Sequence, residues 1–344
     1  MQTIIGLCRR DVGVSELRDQ VLRRLRVLLP IDAAFFATVD PATLLFTRAV
    51  ADEPLGAATA LFMENEFGQA DVNKFSALAA SPQPVNSLDR ATTGRRQTSP
   101  RYREIMAPMA LGDELRAALV SVGRCWGVMC LHREDSPAGF TDRELRLVAR
   151  LVPHLAEGLR RAMLVERTDT EAIDTTVGVL ILDDDLGVVS CNREGEYWLS
   201  QLGVDTHAEG LPLPVHAVAL QASWGSPDGA SCRAARVRLR TTTGQWLVMH
   251  ATRLRGTPRP QTAIVIEPPQ PNEFASLILD AHGITPAQSR VAALVLQGRS
   301  TRQIVNELAI SSNTVQEHLH AVFDKFGVGS RRELVAALLS PPLH

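Results

Sequence analysis

The chain has 344 residues, 45% hydrophobic and 22% charged, with a formal net charge of −2. Such a composition fits soluble globular domains, two or three at this length, and excludes a uniformly basic polymer binder, so any nucleic-acid contact must be local. No run of about 18 apolar residues occurs, which speaks against a transmembrane span.

The first eleven residues make no persuasive signal peptide, and the expected location is cytoplasmic, with no membrane partner. Five cysteines (Cys8, Cys125, Cys130, Cys191, Cys232) include no CxxC pair and no histidine-rich companion, so no metal site is read from them. Cys125 and Cys130 fall on one expected strand, where their odd separation puts them on opposite faces. Lys74 and Lys325 are the sole lysines, a bias of coding rather than of chemistry.

In chain order, Val14, Leu17, Val21, Leu25 and Leu28 make an amphipathic helix that Pro30 stops. Phe35–Val39 and Leu44–Thr47 flank Asp40-Pro41-Ala42, a hairpin signal. A long insert, 55–109, carries Phe62, Phe67, Phe75, Tyr102, Met106 and Met109. Two further strands follow, about 115–122 and 125–132. Thr141 caps a helix running to about Val165, with Glu144 closing the capping box. Pro153 inside that helix should kink or divide it.

This order of helix, hairpin, insert, hairpin and Phe140-Thr141-x-x-Glu144 helix resembles a GAF-type sensor over residues 12–165. The resemblance implies that the insert closes over the sheet to hold a small ligand of unknown identity. Phe36, Phe62, Phe67, Tyr102, Met106 and Met109 are the candidate lining; ordinary core is the competing reading. Arg95-Arg96 could meet an anionic group, though a solvated loop is the plainer reading.

Residues 170–268 resemble a PAS domain, chiefly in strand 178–183, turn 184–187, return strand 188–192 ending at Asn192, and the helix 194–202. Strands 236–242, 246–252 and 262–267 complete the sheet. The flavin-linking cysteine motif of the family is absent. His216 is a minor candidate for a haem ligand, so the expected cofactor list is empty. Residues 269–283 form a proline-rich linker and a short helix over 273–280.

The last segment, 284–340, carries four helix starts. Thr285-Pro286-Ala287-Gln288, Ser300-Thr301-Arg302-Gln303 and Ser330-Arg331-Arg332-Glu333 read as capping boxes. Ser311-Ser312-Asn313-Thr314 supplies a hydroxyl cap alone. Gly298 and Gly327 read as stops. Val291/Leu294/Val295, Ile304/Val305/Leu308, Val315/Leu319/Val322/Phe326 and Leu334/Val335/Leu338 give each helix one apolar face.

Together with Ile304-Val305-Asn306-Glu307-Leu308-Ala309-Ile310-Ser311, Asn313–Leu319 and Lys325-Phe326-Gly327-Val328, these residues resemble the LuxR-type helix-turn-helix. The fold expected for the whole chain is therefore multidomain α+β: a GAF-like α/β sensor, a PAS-like α/β sensor and a C-terminal all-α four-helix LuxR-type unit. The resemblance implies double-stranded promoter DNA as partner, a homodimer, and RNA polymerase as a further candidate contact.

It also implies that Gln316, Glu317 and His320 read bases and that Thr314, His318 and the second helix meet phosphates, with Asn313, Arg302 and Lys325 as further contacts. Relatives commonly carry Lys or Arg at the positions of Asn313, Gln316 and Asp324. Six Arg/Lys face four Asp/Glu over 284–344, a thin surplus for phosphate neutralisation.

The leading function is a one-component transcriptional regulator whose sensors answer to a small ligand or partner. A redox- or partner-responsive adaptor with little direct DNA binding stays open. No GxSxG, HExxH or GxxxxGK[ST] run occurs, and no enzyme is expected.

Overall fold

The computed structural model describes residues 1–135, 138–165, 176–203, 211–224, 235–256 and 259–339. Cys232 and the expected domain limits at 170 and 340 lie outside them. The chain divides into two units: residues 1–121 with 125–268, and residues 122–124 with 269–344.

The first unit opens with α1 (Gln2–Leu7) and α2 (Val14–Leu28). Val14, Leu17, Val21, Leu22 and Leu25 line the buried face of α2, while Leu28, expected on that face, is exposed at the helix end. Then come β1 (Ala33–Val39), β2 (Phe46–Ala51), α3 (Thr59–Phe67), α4 (Phe75–Ala80), β3 (Val85–Ser87) and α5 (Leu88–Thr92). A single π turn covers Tyr102–Met106 before β4 (Leu111–Ser121), β5 (Arg124–Glu134) and α6 (Asp142–Val165).

The five strands form one sheet in the order β2-β1-β5-β4-β3. Helices α1, α2 and α6 pack together, and α6 lies on β4. α6 runs unbroken through Pro153, so the expected division of that helix is absent.

A second sheet follows with the same connectivity. Its strands are β6 (Gly178–Leu182), β7 (Val188–Cys191), β8 (Ala235–Arg240), β9 (Trp246–Arg253) and β10 (Thr262–Glu267), in the order β7-β6-β10-β9-β8. Between β7 and β8 stand α7 (Arg193–Gln201) and α8 (Leu213–Trp224). Asn192 caps α7 by accepting from the Gly195 amide at 2.8 Å, and the same oxygen accepts from Val179 N.

α8 packs on β8, β9 and β10 and also on β2 and α3. This explains why Leu213, Val215, Ala217, Val218, Ala219 and Leu220 are all buried: a helix covered on both sides has no polar face to show. One apolar core therefore runs from Phe46 and Phe62 to Leu180 and Val218.

The second unit holds α9 (Pro271–Ala281), α10 (Pro286–Leu296), α11 (Thr301–Leu308), α12 (Ser312–Phe326) and α13 (Arg331–Leu339). α9 begins two residues before its expected start because Gln270 and Glu273 form a capping box ahead of it.

Candidate nucleic-acid interface and sensor cavity

Local chemistry sets each helix of the second unit. Thr285 and Ser300 accept from the amides of Gln288 and Gln303, whose side chains reach back to the cap amides. Ser311 accepts from Thr314 N at 3.1 Å. Gly327 ends α12 in the left-handed region, at φ 64°. Between α11 and α12 the chain turns in three residues, with Ala309 at φ 51°.

Val315, Leu319 and Val322 bury one face of α12, and α10 and α11 pack on this helix. Asn313, Gln316, Glu317 and His320 are exposed, His318 is half-buried, and Arg302 is exposed on α11. The structure thus brings Gln316, Glu317 and His320 together on one open face. Lys325 is different: its amine donates to the Gly283 carbonyl at 2.7 Å and to Gln288 Oε1 at 3.0 Å. That pairing joins α12 to the start of α10, and Lys325, expected among the DNA contacts, stays exposed. Thr314 is partly committed too, its hydroxyl lying 2.9 Å from Ser311 Oγ.

The first sheet carries a second candidate site on the face toward α3 and α4. Phe35 packs at a tilt against Phe46 and Phe62, and Phe67 and Phe75 meet Phe46 edge-on. What remains is a cavity of about 10 Å³ lined by Phe35, Leu55, Ala58, Thr59, Phe62, Ile105 and His132.

Beside it lies a buried ionic network. Arg101 donates from Nε to Glu114 Oε2 at 2.8 Å and from Nη1 to Asn65 Oδ1 at 3.2 Å. Arg116 pairs with Glu66 at 2.7 Å and lies over the Phe75 ring, 3.8 Å from its centroid. Asp71 sits 3.5 Å from Arg101 and accepts from Arg101 N and Ser99 Oγ. Lys74 donates to the carbonyls of Asn65 and Glu66.

Burial and charge compete across this network. Burial alone would raise the Glu114 carboxyl, yet Arg101 and Arg116 hold it down at about 2. Burial pushes the His132 imidazole down to about 4, against the pull of Glu114. It pushes the Cys130 thiol well above its ordinary range. Lys74 is lowered to about 8, again chiefly by burial.

Comparison with known proteins places both units. A model of the bacterial regulatory proteins of the luxR family matches residues 282–338. Over 56 residues the chain is 36% identical to the spore germination protein GerE of Bacillus subtilis (strain 168), a match covering 16% of this chain and 76% of that protein. The chain belongs to the luxR family of bacterial regulatory proteins. A GAF domain model matches residues 14–159.

Among solved structures, Escherichia coli SdiA shows 12% identity and a TM-score of 0.36 over 98% of this chain and 95% of its own. A GAF/HD domain protein from Geobacter sulfurreducens shows 18% identity and a TM-score of 0.33, over 47% of this chain and 98% of that one. The Vibrio cholerae VqmA–ligand–DNA complex gives 17% and 0.23, over 48% and 83%.

In the GAF domain the residues expected to line a ligand pocket divide. Phe62 borders the cavity, Tyr102 and Met106 are buried in the same core, and Phe67 and Met109 are half-buried beside it. Phe36 is not with them. Alternation along β1 sends it to the other face, while its neighbour Phe35 enters the aromatic cluster.

Arg96 clamps Asp89 through two nitrogens, at 2.6 and 2.8 Å, and Asp135 through a third at 2.9 Å, so its expected loop freedom is lost. Sequence reasoning missed Glu66, Asp71, Arg101, Glu114, Arg116 and His132. The available signal was two strands, β4 and β5, carrying charged or titratable residues on the face that should be apolar. Among the described residues no helix is long and apolar enough to cross a membrane.

Proposed function

We propose that this luxR-family protein is a one-component, DNA-binding transcriptional regulator whose GAF domain takes a small ligand and whose middle domain relays the state. The observation that carries the reading is the face of α12: Asn313, Gln316, Glu317 and His320 stand exposed opposite buried Val315, Leu319 and Val322. Gln316 is suited to adenine, Glu317 to the cytosine amine and His320 to guanine N7 in the major groove. Arg302, Thr314 and His318 are assigned to phosphate.

Two copies bind two half-sites, because one thinly charged unit has little affinity of its own. RNA polymerase is the candidate protein contact at the promoter, and the cytoplasm is the location. The middle domain is read as PAS-like from its strand order and the Asn192 cap, and it is assigned no cofactor. It shares its core with the GAF domain, so a change around Phe46 or Phe62 can reach α8 by direct packing.

A cooperating ligand would shift the balance between two arrangements of the dimer.

The engagement of Lys325 by Gly283 and Gln288 favours a second reading, an adaptor that works through protein contacts. The two separate by replacing Gln316 and Glu317 with Ala in the full chain. Loss of sequence-selective DNA binding supports base reading, worth roughly 1–3 kcal/mol for each bidentate contact. Unchanged promoter binding and unchanged transcription would support the adaptor.

A further inference from the structure

Glu114 on β4 and Cys130 and His132 on β5 lie on one face of neighbouring strands, Cys130 and His132 being two residues apart. One ligand atom from each, a carboxylate oxygen, a sulfur and an imidazole nitrogen, falls within 4.8 Å of the other two. All three side chains are buried, with exposures of 0%, 0% and 2%. Glu114 Oε1 and both ring nitrogens of His132 find no hydrogen-bond partner among the described residues.

Buried polar atoms of this kind are normally satisfied, and Glu114 Oε1 with the nearer ring nitrogen of His132, Nε2, calls for a shared partner. We propose that Glu114, Cys130 and His132 form a binding site for a divalent transition-metal ion of the zinc class.

Several features suit that ion. A mixed S, N and O donor set fits zinc and the later first-row metals, and not magnesium or calcium, which take oxygen. Arg101 holds Glu114 by Oε2, leaving Oε1 3.8 Å from His132 Nε2 and 3.7 Å from Arg116 Nε. This is the outer support that fixes a ligand's orientation. His132 also borders the 10 Å³ cavity, whose lining is apolar apart from Thr59 and His132 itself.

A space of that size holds about one water. With so few polar partners it suits the exchangeable fourth ligand of a three-coordinate protein site. On binding, the Cys130 thiol gives its proton to solvent, so a divalent ion adds one positive charge. Glu66, Asp71 and Glu114 already balance Arg101, Arg116 and Lys74, and an anionic fourth ligand would restore neutrality. The site lies in the domain read above as the sensor, and only its regulatory meaning rests on that reading.

Cobalt(II) titrated into reduced full-length protein is the test, with zinc as competitor. We expect saturation at one ion per chain, a thiolate-to-metal charge-transfer band, and loss of that band on adding zinc. Cys130→Ser should abolish it, while Cys191→Ser keeps it.

Because Cys130→Ser can disturb a packed sheet, zinc-edge X-ray absorption of wild-type protein gives a variant-free readout. One sulfur at about 2.3 Å with nitrogen or oxygen at about 2.0 Å supports the site. No charge-transfer band, a shell without sulfur, or a band that survives Cys130→Ser would overturn it. DNA selection is measured separately, so failure of metal binding leaves the regulator reading standing, and the reverse.

Discussion

Asp40 and Arg238 form a buried ion pair between the two sheets of the first unit. Arg238 Nη2 donates to Asp40 Oδ1 at 2.6 Å, and the Arg238 amide donates to Oδ2 at 2.9 Å. Their side-chain exposures are 6% for Arg238 and 1% for Asp40. Arg48 on β2 adds a donation to the Thr241 carbonyl at 2.8 Å. The GAF domain and the middle domain are thus joined by polar geometry as well as by the shared core around α8.

Asp40→Ala should destabilise this unit by roughly 3–5 kcal/mol, because it removes the carboxylate that faces the buried Arg238 guanidinium. Denaturant unfolding of the full chain, followed by tryptophan fluorescence, measures it. A loss under about 1 kcal/mol would mean that the pair is solvated in solution.

Gly327→Ala should cost the helical unit about 1–2 kcal/mol. The cost is one of backbone alone. Gly327 sits at φ 64°, and an added Cβ would meet nothing within 4 Å. Thermal unfolding of the full chain followed by far-ultraviolet circular dichroism would show it, and an unchanged midpoint would contradict the left-handed cap.

Burial lowers the His216 imidazole below its ordinary value of 6.5. The unfolded chain therefore takes up a proton first as the pH falls. Stability contributed by neutral His216 is present above pH 6.5 and is lost as the pH drops toward the lowered folded value. Unfolding midpoints measured across that window should fall more steeply for wild type than for His216→Leu. Parallel slopes would show that His216 is solvated.

The helical unit was legible because its signals are local. Thr285 with Gln288, Ser300 with Gln303, Ser311 and Gly327 each act within one turn, so the residues that predict the structure also make it. The strands were legible from alternation and turns, while the capping of α7 by Asn192 showed only in the fold.

Three features escaped for physical reasons. Whether Phe35 or Phe36 faces the insert depends on which side α3 and α4 cover, and strand periodicity alone does not decide it. α1 is only six residues long and is held by packing against α2 and α6. The network of Glu66, Asp71, Arg101, Glu114 and Arg116 joins positions up to 50 residues apart, and no spacing rule reports it. Lys325 is a similar case: the sequence shows a cation in a DNA-binding helix, and only the fold shows its amine held by Gly283 and Gln288.

Base reading by the exposed face of α12 is the proposal on which the function rests. Its most direct test is selection of bound fragments from sheared host genomic DNA by the full-length protein at near-physiological salt. The Gln316→Ala/Glu317→Ala double variant runs in parallel. Enrichment of a two-fold motif, with half-sites about one helical turn apart, is expected for the wild type, and its loss in the variant. Equal recovery by the two proteins, or no enriched motif for either, would contradict it.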